Sequence, residues 1–374
     1  MLPPISNHYS PGMARPCLNA AIHPVHLPTD AWNYHHHPFL IRFRDRVFLC
    51  FSSGTHHEDD VGQRVLFTSS SDFVHWDEAQ VLAQPHQPQT QLLIPQGIHQ
   101  HDGTLVVYYM MLQYSPDVLR DGHRQMGSHG RHICGFYYKT SRDGIHWSEE
   151  TPLDAFGGNM PVRQLASGRL FSCGGRFQAY TDDPSGLSGW HQVEVFPEGW
   201  GNDPSAIPEE DDMPGLISDT KVSLCEASCI QQDAGDIYLY FRSATPWLWA
   251  SRSSDNGETW ALPERTDFTD NRTKFFMDRL PDGRYYYIGT PDPFPPRTRH
   301  VLALSLSRDG LDWTEHYLLS TAQYKGRYPG IDKNGVYGYP SALVEGDTLY
   351  VAFSINKEAI AVLSADLSSL QVRR

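Results

Sequence analysis

The chain has 374 residues, with 30 Lys and Arg against 44 Asp and Glu, a net charge of −14 with histidine neutral. That balance, without any basic run, argues against nucleic acid or an anionic membrane as a partner. Aromatics at 12%, with 30 Gly and 27 Pro, exclude a helical bundle or a disordered chain and favour many short strands joined by turns.

The first residues, Met1 to Asn7, show neither a basic stretch nor an apolar core, so no signal peptide is expected. A cytoplasmic location is the default expectation; a secreted or periplasmic one would require a trimmed leader. No apolar run is long enough to cross a bilayer as a helix. The cysteines at 17, 50, 134, 173, 225 and 229 form no CxxC pair. Cys50, Cys134 and Cys173 lie in apolar, strand-like runs and are expected to act as small buried hydrophobes, with disulfides as the alternative.

One phrase then repeats along the chain: a β-branched or aromatic strand, a Ser-x-Asp-Gly-like turn, and a tryptophan. It runs from Ser69 to Trp76, from Thr140 to Trp147, from Ser253 to Trp260 and from Ser305 to Trp313. Weaker echoes run from Thr181 to Trp190 and from Ser364 to Asp366. The Asp can bond N–H groups of its own turn, the Gly supplies positive φ, and the Trp folds back over the hairpin. A second hairpin signal, an Asp-Gly-type turn between apolar runs, occurs at Asp102-Gly103, Asp282-Gly283 and Gly346-Asp347. Two hairpins make a four-stranded unit. Units starting near residues 37, 98, 165, 221, 273 and 338 predict an all-β propeller spanning residues 1–374 as one domain. The competing fold is a β-sandwich with coincidental turns.

These Asp-box phrases resemble those of the sialidase superfamily of propellers, also called BNR-repeat proteins, from about Trp32 to Leu370. The boxes sit away from the central pocket and say little about chemistry. A sialidase implies an arginine triad for the substrate carboxylate and a Tyr/Glu nucleophile pair. Its first arginine usually stands in Phe/Tyr-Arg-Ile-Pro, where this chain reads Tyr34-His35-His36-His37-Pro38. Together with Ser52-Ser53-Gly54-Thr55-His56-His57-Glu58-Asp59-Asp60-Val61-Gly62-Gln63-Arg64-Val65, that stretch is similar to the propeller ulvan lyases and rhamnosyl-glucuronate lyases. Membership of that subset implies seven blades, whereas the turn count alone gives six; residues 1–31 are expected either to build a seventh or to join the closing blade. It also implies a His pair about twenty residues apart, met by His36/His56 or His37/His57, then a Tyr and an Arg, met by Tyr114 and Arg131.

The chemistry asks for the same residue types. A uronate lyase removes a weakly acidic proton α to a carboxylate, so a cation must neutralise that carboxylate while a His or Tyr takes the proton. The expected catalytic set is His36, His37, His57, Tyr114 and Arg131. Expected substrate-binding residues are His56, His99, Glu226, Arg242, Trp247, Trp249, Lys274 and Tyr339, with His101 a further pocket candidate. The preferred activity is β-elimination at a rhamnose–uronic acid linkage, with a uronate-containing oligo- or polysaccharide as partner. A glycoside hydrolase, rhamnosidase-like or sialidase-like, is the rival, and a non-catalytic glycan-binding propeller the third reading. No cofactor is required by this chemistry. The histidine-rich stretches leave room for a structural divalent ion, calcium or zinc.

Overall fold

The computed structural model describes residues 2–126, 130–201 and 222–370. Six sheets of four antiparallel strands, one of them extended by a short fifth strand, carry the fold. The first blade comprises Tyr34–Phe43, Arg46–Gly54, Arg64–Ser70 and Gln80–Ala83. The second has Gln91–His101, Thr104–Tyr114, Arg131–Ser141 and Thr151–Leu153. Inner strands of the later blades are Arg163–Gln164, Cys225–Gln231, Phe276–Arg279 and Tyr337–Glu345. Among the described residues the only helix is a three-residue 3-10 turn, Pro116–Val118.

The sixth blade explains the blade count. Ala20–His26 pairs antiparallel with Ala359–Asp366 and supplies the outer strand of the sheet that also holds Tyr337–Glu345 and Thr348–Ile355. The N-terminal segment therefore completes the last blade instead of building a seventh. Ser6–Asn7 adds a parallel edge strand to the fifth.

Each Asp box joins the third and fourth strands of its blade. Asp72, Asp143 and Asp309 each accept two main-chain N–H bonds at 2.8–2.9 Å through Oδ1, and Asp255 accepts one. The boxes also reach the preceding blade. Trp147 meets Phe67 edge-on at 4.7 Å, Trp260 faces Phe171 at 5.8 Å, and Trp313 packs against Phe268 at 5.4 Å. The weak echo in blade three behaves alike: Trp190 packs on Phe156 and bonds the Gly186 carbonyl at 2.8 Å. Gly144 needs to be glycine, since φ is +73° and a Cβ would lie 2.3 Å from the Phe48 ring. The repeated phrase thus fastens blade to blade as well as strand to strand. All six cysteines are unpaired; Cys50 and Cys173 are buried as expected, but Cys134 is exposed.

Candidate functional site

Four of the six inner strands share one irregularity. Ladder pairing breaks between His36 and Phe39, between Pro95 and Gly97, between Cys225 and Ser228, and between Gly338 and Ser341. In three of these bulges the first extra residue has left-handed backbone: His37 at φ 54°, Glu226 at 50° and Tyr339 at 55°. Non-glycine residues adopt this conformation at a cost, and bulges re-aim side chains. Here His37, Glu226 and Tyr339 all line one cavity of about 430 Å³.

Within it the Tyr339 hydroxyl donates to Glu226 Oε1, and Arg242 Nη1 bonds the other carboxylate oxygen. Burial alone would raise the Glu226 carboxyl, but Arg242 and Lys274 beside it outweigh burial and hold it down to about 2. The Tyr339 phenol is pushed well up, by burial first and then by the Glu226 charge. Arg242 is braced from behind, its Nε bonding the Arg272 carbonyl at 2.8 Å. Lys274 Nζ sits 4.7 Å from the centre of the Tyr339 ring, and the Arg299 guanidinium 5.9 Å from it. Their hydrogen bonds go to neutral oxygens, Lys274 to the Asn159 carbonyl and Arg299 to Asn334. Burial brings the Lys274 ammonium down to about 7.

The two first-blade histidines pack on the same phenol ring, His36 at 4.0 Å and His37 at 4.8 Å between ring centres. His36 Nδ1 shares a 2.6 Å hydrogen bond with Ser354, and His37 Nδ1 one of 2.9 Å with Ser52. Burial lowers both, His37 to about 3, so both rings are neutral at ordinary pH. They cannot serve as cationic neutralisers of a carboxylate. His36, His37 and Glu58 hold potential ligand atoms within 4.8 Å of one another. Yet Lys357 is bonded to Glu58, and its charge, with those of Arg299 and Lys274, acts on His36. A metal cation is disfavoured there.

Opposite in sequence, the loop after the second strand of blade one sends Glu58 and Asp59 to the same cavity. Arg131 Nη1 holds Asp59 Oδ2 at 2.8 Å, and the Tyr114 hydroxyl donates to the Asp59 carbonyl at 2.9 Å. Asp59 Oδ1 has no hydrogen-bond partner among the described residues. Phe156, Phe177, Ile94 and Met110 add apolar wall, and Gly157, Gly158, Gly174 and Gly175 keep blade three open.

The expected residues therefore divide. His36, His37, Glu226, Arg242, Lys274 and Tyr339 come together, and Arg131 reaches the cavity edge. Tyr114 is spent on holding Asp59, which removes it as a free acid or base. His57 accepts the Ile331 N–H at 3.1 Å and lies beside His56 and His123, outside the cavity lining. His99 bonds the Pro184 carbonyl at 3.1 Å, tying blade two to the turn of blade three, and His101 is exposed at a hairpin. Trp249 is core, its Nε1 on Thr245, while Trp247 lies under Arg265. Neither tryptophan lines the sugar-sized cavity. Sequence reasoning assigned no role to Glu58, Asp59, Arg299 or Lys357. The first two stood in the quoted His-Glu-Asp run; Arg299 follows a proline-rich stretch with no strand periodicity to place it.

No curated protein sequence matches this chain. Solved structures do. A protein of unknown function from Dyadobacter fermentans superposes with a TM-score of 0.65 at 17% identity, covering 96% of this chain and 100% of its own. Trypanosoma rangeli sialidase in complex with sialic acid gives 0.64 at 11% identity, covering 95% of this chain and 60% of that one. The intramolecular trans-sialidase from Ruminococcus gnavus gives 0.60 at 13% identity, covering 93% and 97%. At these identities the likeness establishes the sialidase-like propeller fold alone. The sequence model of the BNR repeat-like domain matches residues 45–351, and the chain belongs to that family.

Proposed function

We propose that this chain is a glycoside hydrolase acting on an acidic sugar, with Tyr339 as nucleophile and Glu226 as its base. The observation that carries the reading is the hydrogen bond from the Tyr339 hydroxyl to an ionised Glu226 at the cavity wall, with the buried cations Lys274 and Arg299 beside the phenol ring and bonded to neutral oxygens. Arg242, Lys274 and Arg299 all act on the one Glu226 carboxylate, an excess of buried positive charge that an anionic sugar would offset. An anionic substrate also disfavours a carboxylate nucleophile by like-charge repulsion; a neutral phenol avoids this, as in the sialidases, which depart from the usual carboxylate pair.

In this reading the sugar enters with its acidic group toward Lys274 and Arg299. Tyr339 attacks the anomeric carbon as its proton passes to Glu226, and the glycosidic oxygen leaves with a proton drawn from solvent, because Asp59 is already paired with Arg131. Water then opens the tyrosyl glycoside by the reverse traffic. His36 and His37 stay neutral and hold the phenol ring in place. The likeness to a sialidase bound to sialic acid supports a glycan substrate.

Lyase action at a rhamnose–uronate linkage is the rival, because the neutral His37 ring in the same cavity could take a proton from carbon. Arg131, the arginine that the lyase resemblance assigns to the uronate, is already paired with Asp59. Product analysis separates the two. Incubation with aryl sialosides, aryl glucuronides and rhamnose–uronate oligosaccharides should give a product that has gained water. An unsaturated uronate without added water would establish the lyase instead, and no turnover of any acidic glycan would leave a binding protein.

A further inference from the structure

A second cluster lies outside the cavity, where the blade-one loop that carries Glu58 and Asp59 meets the short hairpin of Leu119–Arg120 and His123–Arg124 in blade two. We infer that His57, Asp60 and His123 form a binding site for a zinc-like divalent transition metal that clamps this loop to the neighbouring blade. Each offers one ligand atom, and the three atoms lie within 4.8 Å of one another. The His56 ring is 4.5 Å from His57 and 6.4 Å from His123, near enough to supply a fourth ligand or to border the site.

The protein has prepared the carboxylate. Asp60 is fully buried, its Oδ1 accepting the N–H groups of Val61 and Arg124, each at 2.9 Å, and its Oδ2 accepting from His123 Nδ1 at 2.7 Å. An ion can take the place of the proton between His123 and Asp60 if those two atoms move apart from 2.7 Å to about 3.3 Å, the ligand–ligand edge of a tetrahedral site. Imidazole nitrogens with one carboxylate suit zinc and its neighbours, whereas calcium and magnesium prefer all-oxygen sites.

The proton bookkeeping is explicit. Each ligating imidazole keeps one proton, on the nitrogen facing away from the ion. For His123 that is Nε2, on its half-exposed side. His57 Nδ1 accepts the Ile331 N–H at 3.1 Å in the free protein; whether that nitrogen takes the ion or keeps the ring proton, metal binding must open that contact. The Ile331 amide is therefore a reporter of site occupancy.

The test uses tag-free, chelator-stripped full chain titrated with Zn²⁺ by calorimetry and with Co²⁺ by visible absorption. The wild type should bind one equivalent, with a cobalt band of low-coordinate geometry, faster amide exchange at Ile331, and no comparable response to Ca²⁺ or Mg²⁺. His57→Ala and His123→Ala should each weaken binding at least tenfold, while His75→Ala, at an exposed Asp-box turn, should not. Binding that persists unchanged in the His57→Ala/His123→Ala double variant would overturn the site, as would the absence of a saturable equivalent in the wild type. Circular dichroism and melting curves confirm that each variant is folded before it is scored. None of these readouts involves turnover, so the result is independent of the proposed hydrolase chemistry.

Discussion

Tyr339 of the sixth blade donates its phenolic hydrogen to Glu226 of the fourth, a contact between residues 113 apart in sequence. Both stand in inner-strand bulges with left-handed backbone, and two neutral histidines of the first blade pack against the phenol ring. The pair is thus held by three blades at once. That geometry is available because the propeller brings similar bulges from the inner strands of blades one, four and six to one cavity.

Removing the hydroxyl should remove turnover and little else. Tyr339→Phe keeps the ring that His36, His37 and Lys274 contact, and Glu226 retains Arg242. A loss of about 10²–10⁴-fold in kcat is expected, the range for a lost acid–base or nucleophilic group. Glu226→Gln should fall as far. Steady-state kinetics with melting curves provides the check; a Tyr339→Phe enzyme with near-normal kcat would place the nucleophile elsewhere.

Tyr114 provides a contrasting case. Its hydroxyl only steadies the loop through the Asp59 carbonyl, so Tyr114→Phe should keep kcat within a factor of about 10, less than the loss of a proton-transfer group. A collapse of kcat to the Tyr339→Phe level would restore Tyr114 to the chemistry and favour elimination.

Stability should depend on pH through Glu226 and Lys274, with opposite profiles. Glu226 is depressed to about 2 when folded against roughly 4.3 unfolded, so it stabilises the fold above that upper value. This contribution is lost as pH falls from roughly 4.3 through about 2. Lys274 falls to about 7 against roughly 10.4 unfolded; between these values the unfolded chain binds the extra proton and stability rises with pH. Its buried charge is therefore a cost at neutral pH and below. Lys274→Met should raise the melting temperature by a few degrees at pH 6, with the gain shrinking toward pH 10, while impairing KM for an acidic substrate. Melting curves across pH test this. A variant that melts lower than wild type at pH 6 would contradict it.

Among the box tryptophans, Trp313 is fully buried whereas Trp147 is only partly buried. Trp313→Ala should cost about 3–5 kcal/mol, the range for deleting a buried aromatic, and Trp147→Ala distinctly less. Urea unfolding of the two variants measures the difference; equal costs would show that the boxes do not fasten blades through burial.

The fold was largely legible because its determinants are local. An Asp, a Gly and a Trp at fixed spacing dictate one turn whatever surrounds it, and four good copies locate four blades. The closing strand was less legible. Ala20–His26 lacks clean alternation, and its assignment depends on pairing with Ala359–Asp366 at the far end of the chain. In the site, Glu226, Arg242, Lys274 and Tyr339 could be picked out as polar residues in apolar runs, and Glu226 with Arg242 as a candidate pair, but not the approach of Tyr339 and Lys274 to them. Their pairing depends on bulges with positive φ at non-glycine residues, for which composition holds no signal. Spacing misled at His57 and Tyr114: both lie near the cavity in sequence terms, but His57 faces Ile331 and Tyr114 serves the Asp59 backbone.

The most direct measurement is covalent trapping. The full chain would be incubated with activated fluoro-sugars of the sialic and glucuronic acid types, then examined by intact mass and peptide mapping. A single added glycosyl group on the peptide carrying Tyr339, absent in Tyr339→Phe, is the expected result. Turnover of an acidic glycan to an unsaturated product, with no glycosyl group ever found on Tyr339, would contradict the nucleophilic role of the Tyr339–Glu226 pair.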